Sequence, residues 1–204
     1  MDAATLHPPD SSHADFAPDN VPYERLMGQW FIIASTLPLW KNKRDVSITY
    51  TPIPDEPATT FDDLVQFHYD SAALGSLPWE VKGVDKLETD VEGNGVRWKW
   101  RGKGFLKIST SHWQLLGYSL LSAPPSGDTE STLPPPVATD PEWVVTYFSS
   151  TLFTPAGLDI YVRKPDALTE EQVEGLVRKL EGLGGEVEAL VKDGGMFRVP
   201  HSSV

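Results

Sequence analysis

Apolar and polar residues alternate with a period of two over most of the chain from Trp30 onward. The stretches "DVSITYT" and "LVQFHY" show this alternation, and "WFIIAS" adds β-branched and aromatic residues. Such a pattern is typical of strands with one buried face. Further stretches of this kind are "WEVKGVDKLE", "GVRWKW", "GFLKIS", "HWQLLGYSLL", "EWVVTYF" and "LDIYVRK". The pattern predicts eight or nine antiparallel strands that close into a barrel or fold into a sandwich.

A helical pattern occurs only late in the chain and predicts a C-terminal α-helix over residues 169–183. Thr169 and Gln172 have the spacing of a capping box, and Gly184 is a plausible stop. The apolar stripe consists of Val173, Leu176, Val177 and Leu180. Because the stripe covers only one side, the helix should lie on the outside of the sheet with its charged residues in water.

The 204 residues suit one domain with less regular ends. Residues 1–20 are rich in Pro, Asp and Ser, so we expect them to be mobile. Residues 21–192 should form the barrel and its helix, and residues 193–204 a tail that could dock as a short extended piece. Residues 122–141 hold six of the 18 prolines and should connect two late strands.

Charge and composition exclude several classes of function. The net charge of −12 repels phosphate backbones and anionic lipid, so we expect neither nucleic-acid binding nor membrane insertion. Cysteine is absent, and no dinucleotide, Gly-x-Ser-x-Gly or His-Glu-x-x-His motif occurs. The sequence therefore predicts no cofactor and no metal. The start of the chain does not resemble a signal peptide, which favours a cytoplasmic protein.

Two distant motifs carry a family resemblance. Gly28-Gln29-Trp30 opens the first strand after a short helix-like "YERLM", and Arg163 ends the last strand just before Pro165 and the capped helix. Together these features resemble the lipocalins, especially the bacterial and plant members. The resemblance implies an eight-stranded up-and-down β-barrel of mainly β class, possibly with a ninth strand, and one C-terminal helix packed outside.

The resemblance also implies roles for these residues. Trp30 would close the base of the barrel and Arg163 would lie across its ring, a cation–π contact worth ~0.5–2 kcal/mol. Thr139 and Asp140 correspond to the second family motif, although Pro141 follows them where the family has an aromatic residue.

Aromatic residues on the predicted strands suggest a ligand pocket. An eight-stranded barrel can hold one small ligand or be filled by its own side chains. The candidate ligand-binding residues are Phe67, Trp79, Trp98, Trp100, Trp113 and Tyr147. The alternative is that these rings form an ordinary barrel core.

The candidate catalytic residues are His68, His112, Tyr69 and Tyr118, and they apply only if the protein is an enzyme. The two histidines could face the cavity, but they could equally be exposed or half-buried strand residues. A basic run interleaved with tryptophan contains Arg97, Lys99, Arg101, Lys103 and Lys107. It most simply forms the solvent face of a strand, although one of its cations could face the mouth and pair with a ligand carboxylate.

The sequence thus favours a protein that binds a small hydrophobic partner in a barrel cavity, as a carrier or sequestering protein. The ligand would be a fatty acid, a polyene or a terpenoid- or polyketide-like molecule. The alternative is an isomerase or cyclase of secondary metabolism, which would hold a polyene in one conformer with limited acid–base help, as lipocalin-like cyclases do. A third hypothesis, an interaction module docking through "TLPPPVATDP", lacks flanking basic residues.

Overall fold

The protein is a closed antiparallel β-barrel with helices on its outer surface. A computed structural model describes residues 4–73, 75–120, 141–151, 154–192 and 195–202. The strands follow one another in chain order around the barrel, and the pairing of the first strand with both the second and the eighth closes it. This confirms the predicted eight-stranded up-and-down barrel. Thr139 and Asp140, and all of the proline-rich connection except Pro141, lie outside the described residues.

The strands and helices have the following bounds. The strands are β1 Gly28–Ser35, β2 Lys43–Pro52, β3 Thr60–Tyr69, β4 Trp79–Leu87, β5 Arg97–Gly102, β6 Thr110–Ser119, β7 Trp143–Phe148, β8 Gly157–Val162 and β9 Phe197–Arg198. The helices are α1 Tyr23–Leu26, α2 Glu170–Glu181 and α3 Gly185–Val191. None of these helices is both long enough and apolar enough to span a bilayer.

Successive residues of each strand point to opposite faces, so the barrel separates two cores. One core fills the interior with side chains from all eight strands, including Trp30, Phe61 and Trp98. The other core lies outside β1, β7 and β8, where Leu158 and Ile160 meet the apolar face of the C-terminal helices. Every residue of β8 is buried because this strand faces both cores.

The C-terminal helix occurs where the sequence predicts it. Thr169 and Gln172 form the capping box, and α2 packs its apolar stripe against the barrel. Gly184 has a positive φ of 72° and separates α2 from α3, a second helix that the sequence analysis did not predict. The tail also docks, because β9 extends the sheet by pairing with Ala34 and Ser35 at the end of β1.

The N-terminal segment contacts the barrel, although the sequence analysis expected mobility over residues 1–20. Phe16 is buried in the interior core, and Leu6 is buried in the outer core. The amide of His7 donates to the carbonyl of Leu116, and the amide of Gly95 donates to the carbonyl of Phe16. Amide hydrogen exchange measures the mobility of this segment, because burial and hydrogen bonding both slow the exchange.

The base of the barrel is closed by Trp30 and Arg163. The guanidinium of Arg163 lies 3.5 Å from the centroid of the Trp30 ring, so the contact implied by the resemblance is present. Arg163 also donates to Glu142 at 3.1 Å and to the carbonyls of Gln29 and Arg25. Arg163 thereby connects Glu142, which lies just before β7, to the segment from Arg25 to Trp30 beneath the interior.

Gly28 explains the Gly-x-Trp motif at the start of β1. Its φ is +94°, a conformation that non-glycine residues rarely adopt. A Cβ at this position would lie 3.4 Å from Nη1 of Arg163. Glycine therefore lets the chain enter β1 directly beneath the guanidinium.

Replacing Arg163 by Ala should lower the free energy of unfolding by about 2 to 4 kcal/mol, because it removes the cation–π contact and several hydrogen bonds of the base. Urea denaturation followed by far-UV circular dichroism measures the change. The matched control is Arg178→Ala in α2, where an exposed arginine pairs with Glu174 at 3.7 Å. The free energy of unfolding of that variant should stay within about 0.5 kcal/mol of the value for the parent. Equal losses in the two variants would contradict the role assigned to Arg163.

Candidate functional site

A stack of three aromatic rings occupies the lower interior of the barrel. Trp113 lies between Trp98, whose ring centroid is 4.6 Å away, and Tyr50, at 5.8 Å. Phe61 adds a fourth ring 4.9 Å from Tyr50. All four side chains are buried, because β2, β3, β5 and β6 present them on their inward face. They form an apolar floor above the base.

Two aspartates accompany this stack on the inward faces of β3 and β4. Oδ1 of Asp85 accepts a hydrogen bond of 2.7 Å from Nε1 of Trp113. The carboxyls of Asp63 and Asp85 interact directly with each other. Among the described residues, no N–H or hydroxyl group donates to Oδ1 of Asp63 or to Oδ2 of Asp85. The two carboxyls are therefore a buried pair that has to share a proton.

Burial sets the protonation of this pair. Desolvation raises the pKa of Asp85 to about 7. Burial and the neighbouring Asp85 carboxyl raise the pKa of Asp63 well above its ordinary value. Because two carboxylates cannot both ionise in a dry interior at close range, the pair keeps at least one proton at neutral pH. The pair can thus donate a proton as well as accept one.

A third buried carboxyl, Asp159 of β8, lies nearer the opposite end of the barrel. Its Oδ2 accepts a hydrogen bond of 3.3 Å from Nε1 of Trp40, and burial raises its pKa to about 7. Lys43 is the buried cation of this end. Its Nζ donates to the carbonyl of Leu39 and lies 5.0 Å from the ring centroid of Tyr69. Burial lowers the pKa of Lys43.

The upper interior differs from the floor because its inward side chains are only half-buried. Val65 and Val81 face each other across β3 and β4, directly above Asp63 and its partner Gly83. The half-buried inward residues of this region are Val65, Tyr69, Val81, Trp100 and Phe148. We call this region the open half.

Comparison with solved structures identifies the architecture. Apocrustacyanin A1 of lobster superposes with a TM-score of 0.56 at 10% sequence identity, over 100% of this chain and 93% of that chain. Apocrustacyanin C2 gives the same values. Crustacyanin is a lipocalin.

The chain has the lipocalin fold. At 10% identity the likeness concerns the fold alone. No protein-family model matches the sequence, and a comparison with curated proteins finds no match either. The ligand and activity of this lipocalin barrel therefore have to be argued from its own residues.

The structure divides the sequence-predicted site residues into three groups. Phe67, Trp98, Trp100 and Trp113 face the interior. Tyr69 and Trp79 lie at the open end, where their rings contact edge to face at 5.8 Å and Trp79 is 61% exposed. The residues that lie away from the interior are Tyr147, His68 and His112, whereas Tyr118 belongs with the first group because it packs against the interior core beside Phe16.

Three placements differ from the expectation that these side chains face a cavity. Tyr147 points to the helices and donates to Glu186, because it occupies an outward position of β7. His112 is on the outer face with Glu88 at 2.9 Å. His68 contacts the carbonyl of Ser76 outside β3. Tyr118 follows a bulge in β6, packs against the interior core beside Phe16 and donates to the carbonyl of Asp15.

The basic run of β5 also points outward. Arg97 pairs with Asp10 and Glu88, and Lys103 pairs with Asp62 at 2.6 Å. The interior of the lipocalin barrel is acidic instead, which sequence analysis missed. The alternation pattern of the sequence did contain a signal for this, because Asp63 and Asp85 occupy the same alternate positions as the inward apolar residues of their strands.

Three side chains outside the barrel could hold a metal ion. The ligand atoms of His7, His13 and Asp15 lie within 4.8 Å of one another. The rings of His7 and His13 stack with centroids 4.0 Å apart, and Nδ1 of His13 already accepts from the amide of Asp15. The sequence analysis did not identify this cluster, because the turn at residues 14–16 is what brings its members together.

Apolar side chains surround the open end of the lipocalin barrel. The exposed large apolar residues of the described chain are Leu39, Leu77, Trp79, Leu106 and Ile108. They belong to the loops and strand ends that join β1 to β2, β3 to β4 and β5 to β6. Three surface recesses of about 450, 310 and 640 Å³ lie outside the barrel and do not reach the aromatic stack.

The buried carboxyls should make stability fall as pH rises. The unfolded carboxyls titrate near pH 3.9, whereas burial raises the pKa of Asp85 and of Asp159 to about 7. The folded protein therefore holds more protons between pH 4 and pH 7, and stability is lost across that window. Each such carboxyl contributes up to about 1.4 kcal/mol per pH unit.

Asp85→Asn should flatten this dependence, because the amide keeps an oxygen for Trp113 and has no charge to bury. Urea denaturation at pH 5, 6 and 7.5 measures the free energy of unfolding. The value for the variant should increase relative to that of the parent as pH rises. Asp62→Asn is the control, since Asp62 is 43% exposed on the outer face of β3. A parallel profile for parent and Asp85→Asn would contradict the assignment.

Proposed function

We propose that this protein binds a small, largely apolar molecule in the open half of its barrel, as a carrier or sequestering protein. The observation that supports the proposal is the half exposure of inward apolar residues, among them Val65 and Val81, above a buried aromatic floor. Concave apolar sites with a few polar groups are the usual form of small-molecule sites. The aromatic floor favours a flat or polyunsaturated ligand.

The apolar rim supports the same function. Exposed apolar side chains cost solubility, and a cluster of them usually marks a binding surface. Here the cluster surrounds the one end of the barrel that the Trp30–Arg163 contact does not close. An apolar ligand would meet this rim before it reaches Val65, and the ring of Phe67 would line its path.

Val65→Phe should weaken the binding of retinol about tenfold or more, because the larger side chain fills the open half. The increase of retinol fluorescence on titration measures the affinity. Leu64→Phe is the matched control, since Leu64 is the next residue of β3 and lies on the outer face. Absence of saturable retinol binding to the parent, or equal affinities of the two variants, would contradict the proposal.

A second candidate function is that of an isomerase or cyclase acting on a polyene. The Asp63–Asp85 pair favours it, because a buried protonated carboxyl beside aromatic rings can protonate a double bond. The rings of Trp113 and Trp98 would stabilise the resulting carbocation, and loss of a proton to the carboxylate would complete an isomerisation with no net change of atoms.

Incubation of the protein with all-trans-retinol, followed by chromatography of the products, tests this activity. Asp85→Asn should abolish the formation of isomers, because it removes the carboxylate that exchanges protons. His68→Ala and His112→Ala should retain it, since these side chains lie outside the barrel. Product formation that depends on either histidine would support the original catalytic prediction instead, and no product at all would exclude this reaction for retinol.

A further inference from the structure

Buried charge in the interior of the barrel is unbalanced. The buried charged side chains of the described chain are Asp63, Asp85, Asp159 and Lys43. Lys43 is held at the open end by the carbonyl of Leu39, the side chain of Asn42 and three aromatic rings. No carboxylate ion pair to Lys43 occurs among the described residues. Three acids therefore face an interior in which none of them has a cationic partner.

The Asp63–Asp85 pair is the part of this set that a ligand could reach. Asp63 pairs with Gly83 in the register of β3 and β4, one inward position below the half-exposed Val65 and Val81. Glycine at position 83 leaves that inward position without a side chain, and the indole of Trp100 fills it and hydrogen-bonds to Asp63. The half-buried Trp100 therefore lies between the open half and the pair, and a ligand that contacts the carboxyls has to displace its indole.

The hydrogen bonding of the pair is incomplete in a specific way. Oδ1 of Asp63 and Oδ2 of Asp85 receive no donor from any described N–H or hydroxyl group. Nε1 of Trp98, in the same aromatic stack, has no acceptor among the described residues. Buried polar groups normally have partners. Between the two carboxyls that partner is the shared proton, and a donor that carries a positive charge would satisfy the same oxygens in its place.

We propose that the ligand of this barrel carries a primary amine, which binds as an ammonium ion between the carboxylates of Asp63 and Asp85 with its apolar part in the open half. The proposal rests on the binding function argued above and names its ligand class. An ammonium supplies three N–H donors and one positive charge. It would replace the proton that the pair otherwise shares.

The aromatic surroundings favour the same class. The rings of Tyr50, Trp98 and Trp113 stack on one another beside the carboxyls, with the N–H edge of Trp113 directed at Asp85. The barrel already holds one ammonium against aromatic rings, since Nζ of Lys43 lies 5.0 to 5.9 Å from the ring centroids of Tyr69, Phe67 and Trp40. The net charge of −12 would attract a cation to the open end and repel a fatty-acid carboxylate.

A chain-matched series separates the class of ligand from its apolar part. The probes are octylamine, 1-octanol and octanoate, titrated calorimetrically at pH 7.5 and low salt. Octylamine should bind at least about tenfold more tightly than octanol, since a charge-assisted hydrogen bond contributes about 1.5 to 3 kcal/mol. Octanoate should bind more weakly than either.

Proton release provides a readout that a purely structural role of the pair would not change. Binding of octylamine at pH 6 should release between one and two protons per site, measured in buffers of different ionisation enthalpy, because both carboxyls of the free pair are largely protonated below pH 7; octanol should release none. The other titratable groups that face the pair are Tyr50 of β2 and Tyr161 and Asp159 of β8. The tyrosines stay neutral at pH 6, because burial raises the pKa of both well above 10. Asp159→Asn identifies any contribution from the third carboxyl.

Asp85→Asn should bring the affinity for octylamine to within about threefold of that for octanol and leave octanol unchanged. Asp62→Asn, on the outer face of the same sheet, should change neither the affinity for octylamine nor that for octanol. Equal binding of amine and alcohol to the parent would overturn the amine proposal and leave apolar binding intact, with buried water as the occupant of the pair. Failure of all three probes to bind would contradict both the amine class and the binding function.

Discussion

Closure of the barrel is the constraint on which the rest of this structure depends. Once β1 pairs with both β2 and β8, every second residue of eight strands is committed to one enclosed space. An aspartate in the wrong phase of an open sheet could turn to water, but Asp63 and Asp85 cannot. The raised pKa of each follows from this geometry, because the carboxyls are buried by the alternation of their strands rather than by any local feature.

Closure at one end makes the two ends of the barrel unequal. The guanidinium of Arg163 over Trp30 joins the start of β1, the end of β8 and the carbonyl of Arg25 in α1. Directly above this contact the interior is filled by stacked rings, and farther from it the inward side chains become half exposed. Polarity changes along the same axis, from an apolar floor through a carboxyl pair to an aromatic mouth that holds Lys43. A ligand with one polar end would therefore bind in a single orientation.

The fold could be predicted from sequence because its signals are local or tied to a motif. Strand alternation, the Thr169 capping box and the Gly28-x-Trp30 pair with Arg163 each specify an element or a contact. The site was predicted less well. Aromatic residues at alternate positions were assigned inward correctly at Trp98 and Trp113, but Tyr147 and His112 face outward. His112 directly precedes the inward Trp113, so alternation places it on the outer face, and Tyr147 shares the outward face of β7 with Trp143 and Val145.

The carboxyls were missed for a different reason, which bears on function. Polar residues in a strand are ordinarily taken to mark the solvent face, so "FDDLVQF" suggests two exposed aspartates, whereas Asp62 is outward and Asp63 inward. Burying Asp63 and Asp85 costs stability at neutral pH, and a barrel that only needed a core would be more stable with apolar residues there. Two carboxyls that are expensive to bury, and that each have one oxygen without a donor among the described N–H and hydroxyl groups, are better explained by what they bind or protonate than by what they stabilise. The acidic pair, more than the aromatic lining, is therefore the feature that sets this barrel apart from a filled core.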